Sequence, residues 1–322
     1  MKNSDCFIGF LWAPAEHLWD EILLEINKSY PVENYWSFDF SSNPHELSNC
    51  IIDIYKTDDI DINKVKDIKL KSMEGFSEKF LLFYIKIEDP KYRKKAPYDS
   101  NISTVVEKIK KQIRHKYKSQ VKNYLHDIII HLSDNNQQSV EIESSLKKYF
   151  NFKKDPYINL KSLFKNGFIN GNFDRIDILV RHHTIKKYMA DPNYDFGLYK
   201  KMQRNRSRAF TEQQYVERFK KLIYSFERLG YDKNYPIELS LSSEMIGSSH
   251  RLSLSYYHNY TFVPVEYVSD ERGPEFNFNA AISRRVSFNM KWFERVFTPD
   301  EVSIFKQEER ELIYYLNENS TY

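Results

Sequence analysis

Cysteine is nearly absent from this 322-residue chain, which has two, Cys6 and Cys50. That excludes a disulfide-stapled scaffold and fits a reducing compartment. Glycine is scarce at 8 residues, and no long polar low-complexity tract occurs, which argues against extended disorder. No window approaches the roughly 18 consecutive apolar residues of a membrane-spanning helix. The apolar stretch from Cys6 to Pro14 is too short for the core of a secretory signal. These absences predict a cytoplasmic protein with no membrane partner. Charge of one sign is not in excess: 48 basic against 45 acidic residues leave a formal net charge of +3. Such a balance gives no general case for nucleic acid.

Aromatic residues are plentiful, with Tyr 24 and Phe 23, and 41% of the chain is hydrophobic. The length predicts two domains, and the stretch Asn151 to Asp155 before Pro156 breaks the helical pattern between them. We therefore expect domains at 1–152 and 153–322. In the first, Phe7–Trp12 reads as a strand, and Pro14 opens a helix with Leu18, Ile22 and Ile26 in step. Tyr35 to Phe40 alternates as a half-buried strand, Leu47, Ile51 and Ile54 mark a helix, and Phe80–Ile87 is a strand. A helix through Val105, Ile109 and Ile113, a strand over Asp127–Leu132 and a helix over Gln138–Phe150 follow. This βαβαβαβα order, with an insertion around 57–78, predicts a ferredoxin-like α/β sandwich.

The run Ile128-Ile129-Ile130-His131-Leu132-Ser133-Asp134, followed by helical Glu141, resembles the nucleoside diphosphate kinase signature. The resemblance implies that His131 is a phosphate-accepting imidazole, with Ser133 beside it, Glu141 orienting its other nitrogen and Arg114 on phosphate. Two departures count against retained activity: Ala13-Pro14-Ala15 stands where the family has a phosphate-contacting lysine, and Leu132 replaces a glycine. Further basic residues around Arg114, namely Lys108, Lys110, Lys111, Lys116, Lys118 and Lys122, fall on several helix faces and read as a solvated surface.

In the second half, Pro236-Ile237-Glu238-Leu239 reads as a strand, Gly247-Ser248-Ser249 as a turn, His250-Arg251 as a helix start and Phe262–Val265 as a second strand. Small residues at a helix start beside an arginine suit an anion, since free N–H groups and a guanidinium fork both match phosphate. The run resembles the superfamily of the ParB N-terminal domain, sulfiredoxin and the free serine kinases, which implies an α+β domain that holds nucleotide phosphates on Gly247, Ser248, Ser249, His250 and Arg251. Ser249 stands where sulfiredoxin has its cysteine, so sulfur chemistry is not expected.

Arg204 and Arg206 fall in a basic segment, Lys201–Arg208, read as a loop closing over phosphate ahead of a helix that Thr211 and Gln214 cap. Arg175 and Arg181 read as presented to a partner or ligand. The adjacent His182-His183 pair does not suit zinc, and no metal-ligating residues are assigned. Thr298-Pro299-Asp300-Glu301 opens a last helix that packs without chemistry.

The combined expectation is an α/β protein of two domains acting as a kinase-like phosphotransferase. It would use ATP or ADP with Mg2+, move phosphate to the hydroxyl of a small metabolite and employ Glu238 as general base, with His250 and His131 as further catalytic candidates. The other class left open is a ParB-like, nucleotide-binding regulatory or DNA-associated protein without catalysis. A homo-oligomer is compatible with either. Because each half carries its own apolar pattern, limited proteolysis should leave two stable fragments that meet near residue 152. Uniform degradation without intermediates would contradict that organisation.

Overall fold

The computed structural model describes residues 4–58, 60–94, 101–150, 156–169, 171–206, 210–239, 245, 247–268 and 288–317. The chain divides into two compact units, Met1–Phe152 and Lys153–Tyr322. The connecting stretch expected at 151–155 lies outside the described residues. Among the described residues, no helix is long and apolar enough to cross a membrane.

The first unit opens with β1 (Ser4–Trp12), a 3-10 turn (Ala13–Leu18) and α1 (Trp19–Asn27). Then come β2 (Val32–Asp39), α2 (Pro44–Tyr55) and an inserted helical run through Ile62–Lys64, Val65–Leu70 and Lys71–Met73. After β3 (Lys79–Glu88), a small hairpin of β4 (Tyr92–Lys94) and β5 (Asn101–Ser103) leads into α3 (Thr104–Tyr117), β6 (Ile130–Leu132) and α4 (Asn136–Leu146). The strands order as β2-β3-β1-β6, and every neighbouring pair is antiparallel. That order is the ferredoxin-like arrangement expected from the alternation of elements.

Alternate residues of β1 face opposite sides of the sheet. Ile8, Phe10 and Trp12 pack with α2 and α4 through Leu47, Ile51, Ile54, Ile142 and Leu146. On α1 and α3, Ile22, Ile26, Ile109 and Ile113 bury separate stripes. Those two helices are tied together by Lys116 Nζ to Glu25 at 2.9 Å and Tyr117 Oη to Glu21 at 3.1 Å. The last strand is shorter than the apolar run predicts. His126 and Asp127 hold φ of 53° and 57°, a left-handed conformation that cannot join a strand.

The second unit contains β7 (Tyr157–Asn159), α5 (Leu160–Lys165) and a tight hairpin of β8 (Phe168–Ile169) and β9 (Asn172–Phe173). Helices α6 (Ile176–Ala190), α7 (Gly197–Arg206) and α8 (Glu212–Leu229) follow. Strand β10 (Ile237–Leu239), α9 (Ser249–Tyr257) and β11 (Phe262–Tyr267) then form a parallel strand–helix–strand unit, with β7 antiparallel on the far side of β11. Two helices close the chain, α10 (Met290–Val296) and α11 (Pro299–Asn317). Thr211 and Gln214 form the capping box expected at the start of α8, and Gly230 ends it at φ 71°.

Two sequence expectations are corrected here. The segment Lys201–Arg206 is not a loop but the end of α7, because Tyr199, Met202 and Gln203 bury one face at helical spacing; Ser207 and Arg208 lie outside the described residues. Arg175 and Arg181 are not presented to a partner but are buried at 3% and 1% exposure. Both guanidiniums converge on Asp177, with Arg175 Nε at 2.9 Å from Oδ1 and Arg181 Nη1 at 3.0 Å from Oδ2. Arg175 also donates to Met245 O at 2.6 Å and to Ser249 Oγ at 2.6 Å.

The last helix does more than fill space, since its buried Glu308 accepts from His182 Nδ1 at 2.7 Å, His183 Nδ1 at 3.0 Å and Lys186 Nζ at 3.0 Å. Burial alone would raise the Glu308 carboxyl, but the hydrogen bonds from His182 and His183 hold it well below the ordinary range. A depressed carboxyl stabilises the fold above its unfolded value and loses that contribution as pH falls through the range below about 4.5. Urea titrations of wild type and Glu308→Gln should therefore differ clearly near neutrality, and the difference should shrink steadily as pH falls below about 4.5.

Asp177→Asn should be more severe, because two buried guanidiniums lose their carboxylate, and a loss of about 3–5 kcal/mol is expected. A urea midpoint within experimental error of wild type would show that the buried charges are satisfied elsewhere.

Candidate functional site

Two places carry the residue types singled out in the sequence, one in each unit. In the first unit, His131 is the middle residue of β6, and the sheet register sets it opposite Phe10 on β1. The ring is buried at 5% exposure between Phe10 and Tyr55, whose ring centroids lie 6.0 and 4.8 Å away. It forms one wall of a cavity of about 360 Å³ whose lining also includes Tyr55, Asp58, Lys64, Lys69, Lys110, Arg114, Asp127 and Asp134.

The carboxylate beside the imidazole is Asp58, with Oδ2 3.9 Å from His131 Nδ1, and not the expected Glu141. Glu141 sits on the exposed face of α4, bonded to Gln137. Asp58 is anchored by Gln138 Nε2, which also donates to Thr57 O at 3.2 Å. Ser133 does not turn its hydroxyl to the imidazole; it lies 2.7 Å from Ser139 Oγ and accepts from Ile8 N at 3.2 Å.

The basic residues of α3 and of the segment just after it divide into two groups. Lys108, Lys111, Lys116, Lys118 and Lys122 are exposed as expected, whereas Lys110 and Arg114, one helical turn apart, face the cavity. Lys110 Nζ lies 2.6 Å from Asp134 and donates to Leu132 O at 3.2 Å. Arg114 pairs with Asp127 at 3.0 Å and donates to Ile130 O at 3.0 Å. Arg114, expected on phosphate, thus lines the same cavity as His131.

Lys69, which the sequence did not single out, comes from the inserted helical run and is buried at 9% exposure. Its ammonium sits 4.8 Å over the Tyr55 ring and 6.0 Å from the Trp12 ring. It donates to Asp127 O at 3.2 Å and His126 O at 3.4 Å. These are the two left-handed residues before β6, so their uncommon backbone turns both carbonyls to one cation. Burial, with Arg114 nearby, pushes Lys69 down to about 7. A lysine is therefore present against Trp12 although Ala13 removes the one the family resemblance expects after the first strand.

In the second unit, the strand–turn–helix of the expected cradle forms, but most of its polar groups are engaged by the fold. Ser248 adopts a left-handed backbone at φ 62°, donates to Pro236 O at 3.3 Å and accepts from Arg251 Nη1 at 3.2 Å. Ser249 is buried, donates to Asp177 Oδ2 at 2.8 Å and accepts from Arg175, so its hydroxyl is turned inward and away from any phosphate. A Cβ at Gly247 would lie 2.6 Å from Glu238 Oε2, so the Glu238 carboxylate packs directly against the turn.

Glu238 stands beside Glu266 in the parallel register. The Arg251 guanidinium lies 5.1 Å over the Tyr235 ring, and His250 Nε2 lies 2.8 Å from Tyr199 Oη. His250 and Arg251 are thus directed to different neighbours. Arg204 pairs with Glu212 at 2.6 Å on the surface, and Arg206 ends α7 with its side chain outside the described residues. Among the described residues, no group of three or more His, Cys, Asp or Glu is placed to hold a metal ion.

No protein-family model matches this chain, and none of the curated proteins matches it. Among solved structures, an orthorhombic crystal form of the Aquifex aeolicus nucleoside diphosphate kinase is similar at a TM-score of 0.30 and 11% identity, over 47% of this chain and 97% of that one. The fold assignment of the first unit rests instead on its own strand order and pairing.

Proposed function

We propose that the protein is a kinase-like phosphotransferase that binds nucleotide phosphates in the His131 cavity of the first unit. The observation that carries this reading is the convergence of Lys64, Lys69, Lys110 and Arg114 with His131 on one cavity of about 360 Å³. Phosphate oxygens suit such a set, because guanidinium and ammonium donors form charge-assisted hydrogen bonds to them. The imidazole beside Asp58 supplies a nitrogen that can take a phosphoryl group or a proton. Mg2+ would arrive on the nucleotide phosphates, and the acceptor is a small hydroxyl-bearing metabolite.

The reading moves the phosphate site from the Gly247–Arg251 turn to the first unit, because the Ser249 hydroxyl is already held by Arg175 and Asp177. Isothermal titration with ATP and Mg2+ tests the location. Arg114→Ala should lower affinity about tenfold or more, the worth of one charge-assisted hydrogen bond, while Arg251→Ala should leave it near wild type. The opposite pattern would return the phosphates to the turn, and unchanged affinity in both variants would remove the reading. His131→Ala should keep nucleotide affinity and lose phosphate transfer.

A pH dependence follows from Lys69. Its ammonium is largely protonated below about 7 and progressively neutral above it. A bound anion favours the charged form, so binding above neutrality should take up a proton and weaken as pH rises. Titrations near pH 8 in buffers of different ionisation enthalpy should report that uptake in wild type and lose it in Lys69→Met. Equal heats in all buffers would show that Lys69 does not meet the ligand.

A further inference from the structure

The second unit holds a cavity that neither the turn at Gly247 nor the phosphotransferase reading uses. It has a volume of about 360 Å³ and is lined by Tyr199 from α7, Tyr215, Arg218, Phe219 and Leu222 from α8, His250 from α9, and Phe210 ahead of α8. Four of these seven side chains are benzene-type rings. Tyr199 and Phe219 are buried to 1% exposure and form the floor, with ring centroids 4.9 Å apart. His250 closes one side, its ring 4.7 Å from Phe219 and steeply inclined to it, and its Nε2 2.8 Å from Tyr199 Oη.

The mouth is different in kind. Phe210 is 43% exposed, a large fraction for a phenyl ring, and Tyr215 stands edge-on to it at 5.4 Å. The Arg218 guanidinium lies 4.4 Å over the Phe210 ring, and among the described residues no carboxylate pairs with it. Stacking on a ring holds the guanidinium plane without consuming its five N–H donors, which point outward from its edges. An apolar floor of rings with one cation fixed at the rim is the arrangement that selects a flat, apolar body carrying a negative group.

We infer that this cavity binds a planar aromatic anion, a ring bearing a carboxylate or phosphate, with the ring among Phe210, Tyr215 and Phe219 and the anionic group on Arg218. The ring of the ligand would meet the edges and faces of three aromatic side chains, which favour offset or edge-to-face contact. The anion would take the guanidinium fork, which no carboxylate among the described residues occupies. The inference is independent of the His131 cavity, which lies in the other unit.

The test uses the full-length protein and 2-naphthoate, whose own fluorescence reports binding. Two comparison probes separate ring from charge: 2-naphthylmethylamine has the ring with a positive group, and cyclohexanecarboxylate has the carboxylate without an aromatic ring. Wild type should bind 2-naphthoate with a dissociation constant in the millimolar range or tighter, and either comparison probe about tenfold more weakly. Arg218→Gln should erase the preference for the anion, and Phe210→Leu should weaken 2-naphthoate. Arg204→Gln, which changes an exposed ion pair outside the lining, should leave binding unchanged.

Both altered side chains are solvent-exposed, so folding measured by circular dichroism should match wild type. If Phe210→Leu does not fold, Arg218→Gln decides alone. Equal affinity for the naphthoate and the amine, wild-type selectivity in Arg218→Gln, or no saturable binding at millimolar probe would overturn the inference.

Discussion

Asp177 is fully buried and receives two guanidiniums, so it has to balance more charge than it carries. Taking ions out of water is costly, and the cost is offset only where geometry and further hydrogen bonds satisfy the remaining donors. The additional partners decide how this unit is put together. Arg175 reaches Met245 O, and Ser249 Oγ is held by both Arg175 and Asp177, so the start of α6 and the start of α9 are pinned to one point. Ser253, one turn along α9, donates to Ile178 O at 2.9 Å and adds a second tie between the same helices. With α9 fixed at its first turn, consecutive residues leave it in different directions, His250 towards Tyr199 and Arg251 towards Tyr235. The aromatic cavity thus owes its His250 wall to a charge cluster behind it.

A similar constraint shapes the first unit by other means. Lys69 is buried without a direct carboxylate partner among the described residues, and its ammonium is met by two backbone carbonyls and the Tyr55 ring face. Dipoles and rings compensate a charge less completely than a carboxylate does, and burial pushes Lys69 down accordingly. The second unit therefore neutralises its buried cations internally, whereas the first leaves one poorly compensated at a cavity wall. Perturbed ionisable groups in clefts of that sort are where function concentrates.

How much of this was readable in the sequence depended on the range of the interaction. The strands at Phe7–Trp12 and Phe80–Ile87, the helix through Leu47, Ile51 and Ile54, and the Thr211–Gln214 cap are recorded in local periodicity and were placed within a few residues. The start of β6 was misjudged because apolar Ile128 and Ile129 follow two left-handed residues that composition does not reveal. Arg175, Arg181 and Arg204 looked alike as basic residues near helices, yet two are buried on Asp177 and one pairs with a surface Glu212. Lys69 and Asp58 were missed for a related reason, since they lie in or beside an insertion some 60 to 75 positions from His131 and only the tertiary fold brings them to it. The inward turn of Lys110 and Arg114 was available in their four-residue spacing, and Lys111 and Lys116 between and beyond them obscured it.

The cavity's cations are not equivalent towards an incoming anion. Lys110 and its partner Asp134 are both enclosed, at 13% and 7% side-chain exposure, so separating them would strand a carboxylate away from water. Arg114 is paired with Asp127, whose side chain is 55% exposed and can return to solvent at little cost. Lys69 gives up carbonyl and ring-face contacts when an anion approaches, and it gains a direct anionic partner. For the proposed phosphate ligand, the balance of these exchanges favours a place between Lys69 and Arg114, with Lys110 retained by Asp134 as part of the wall.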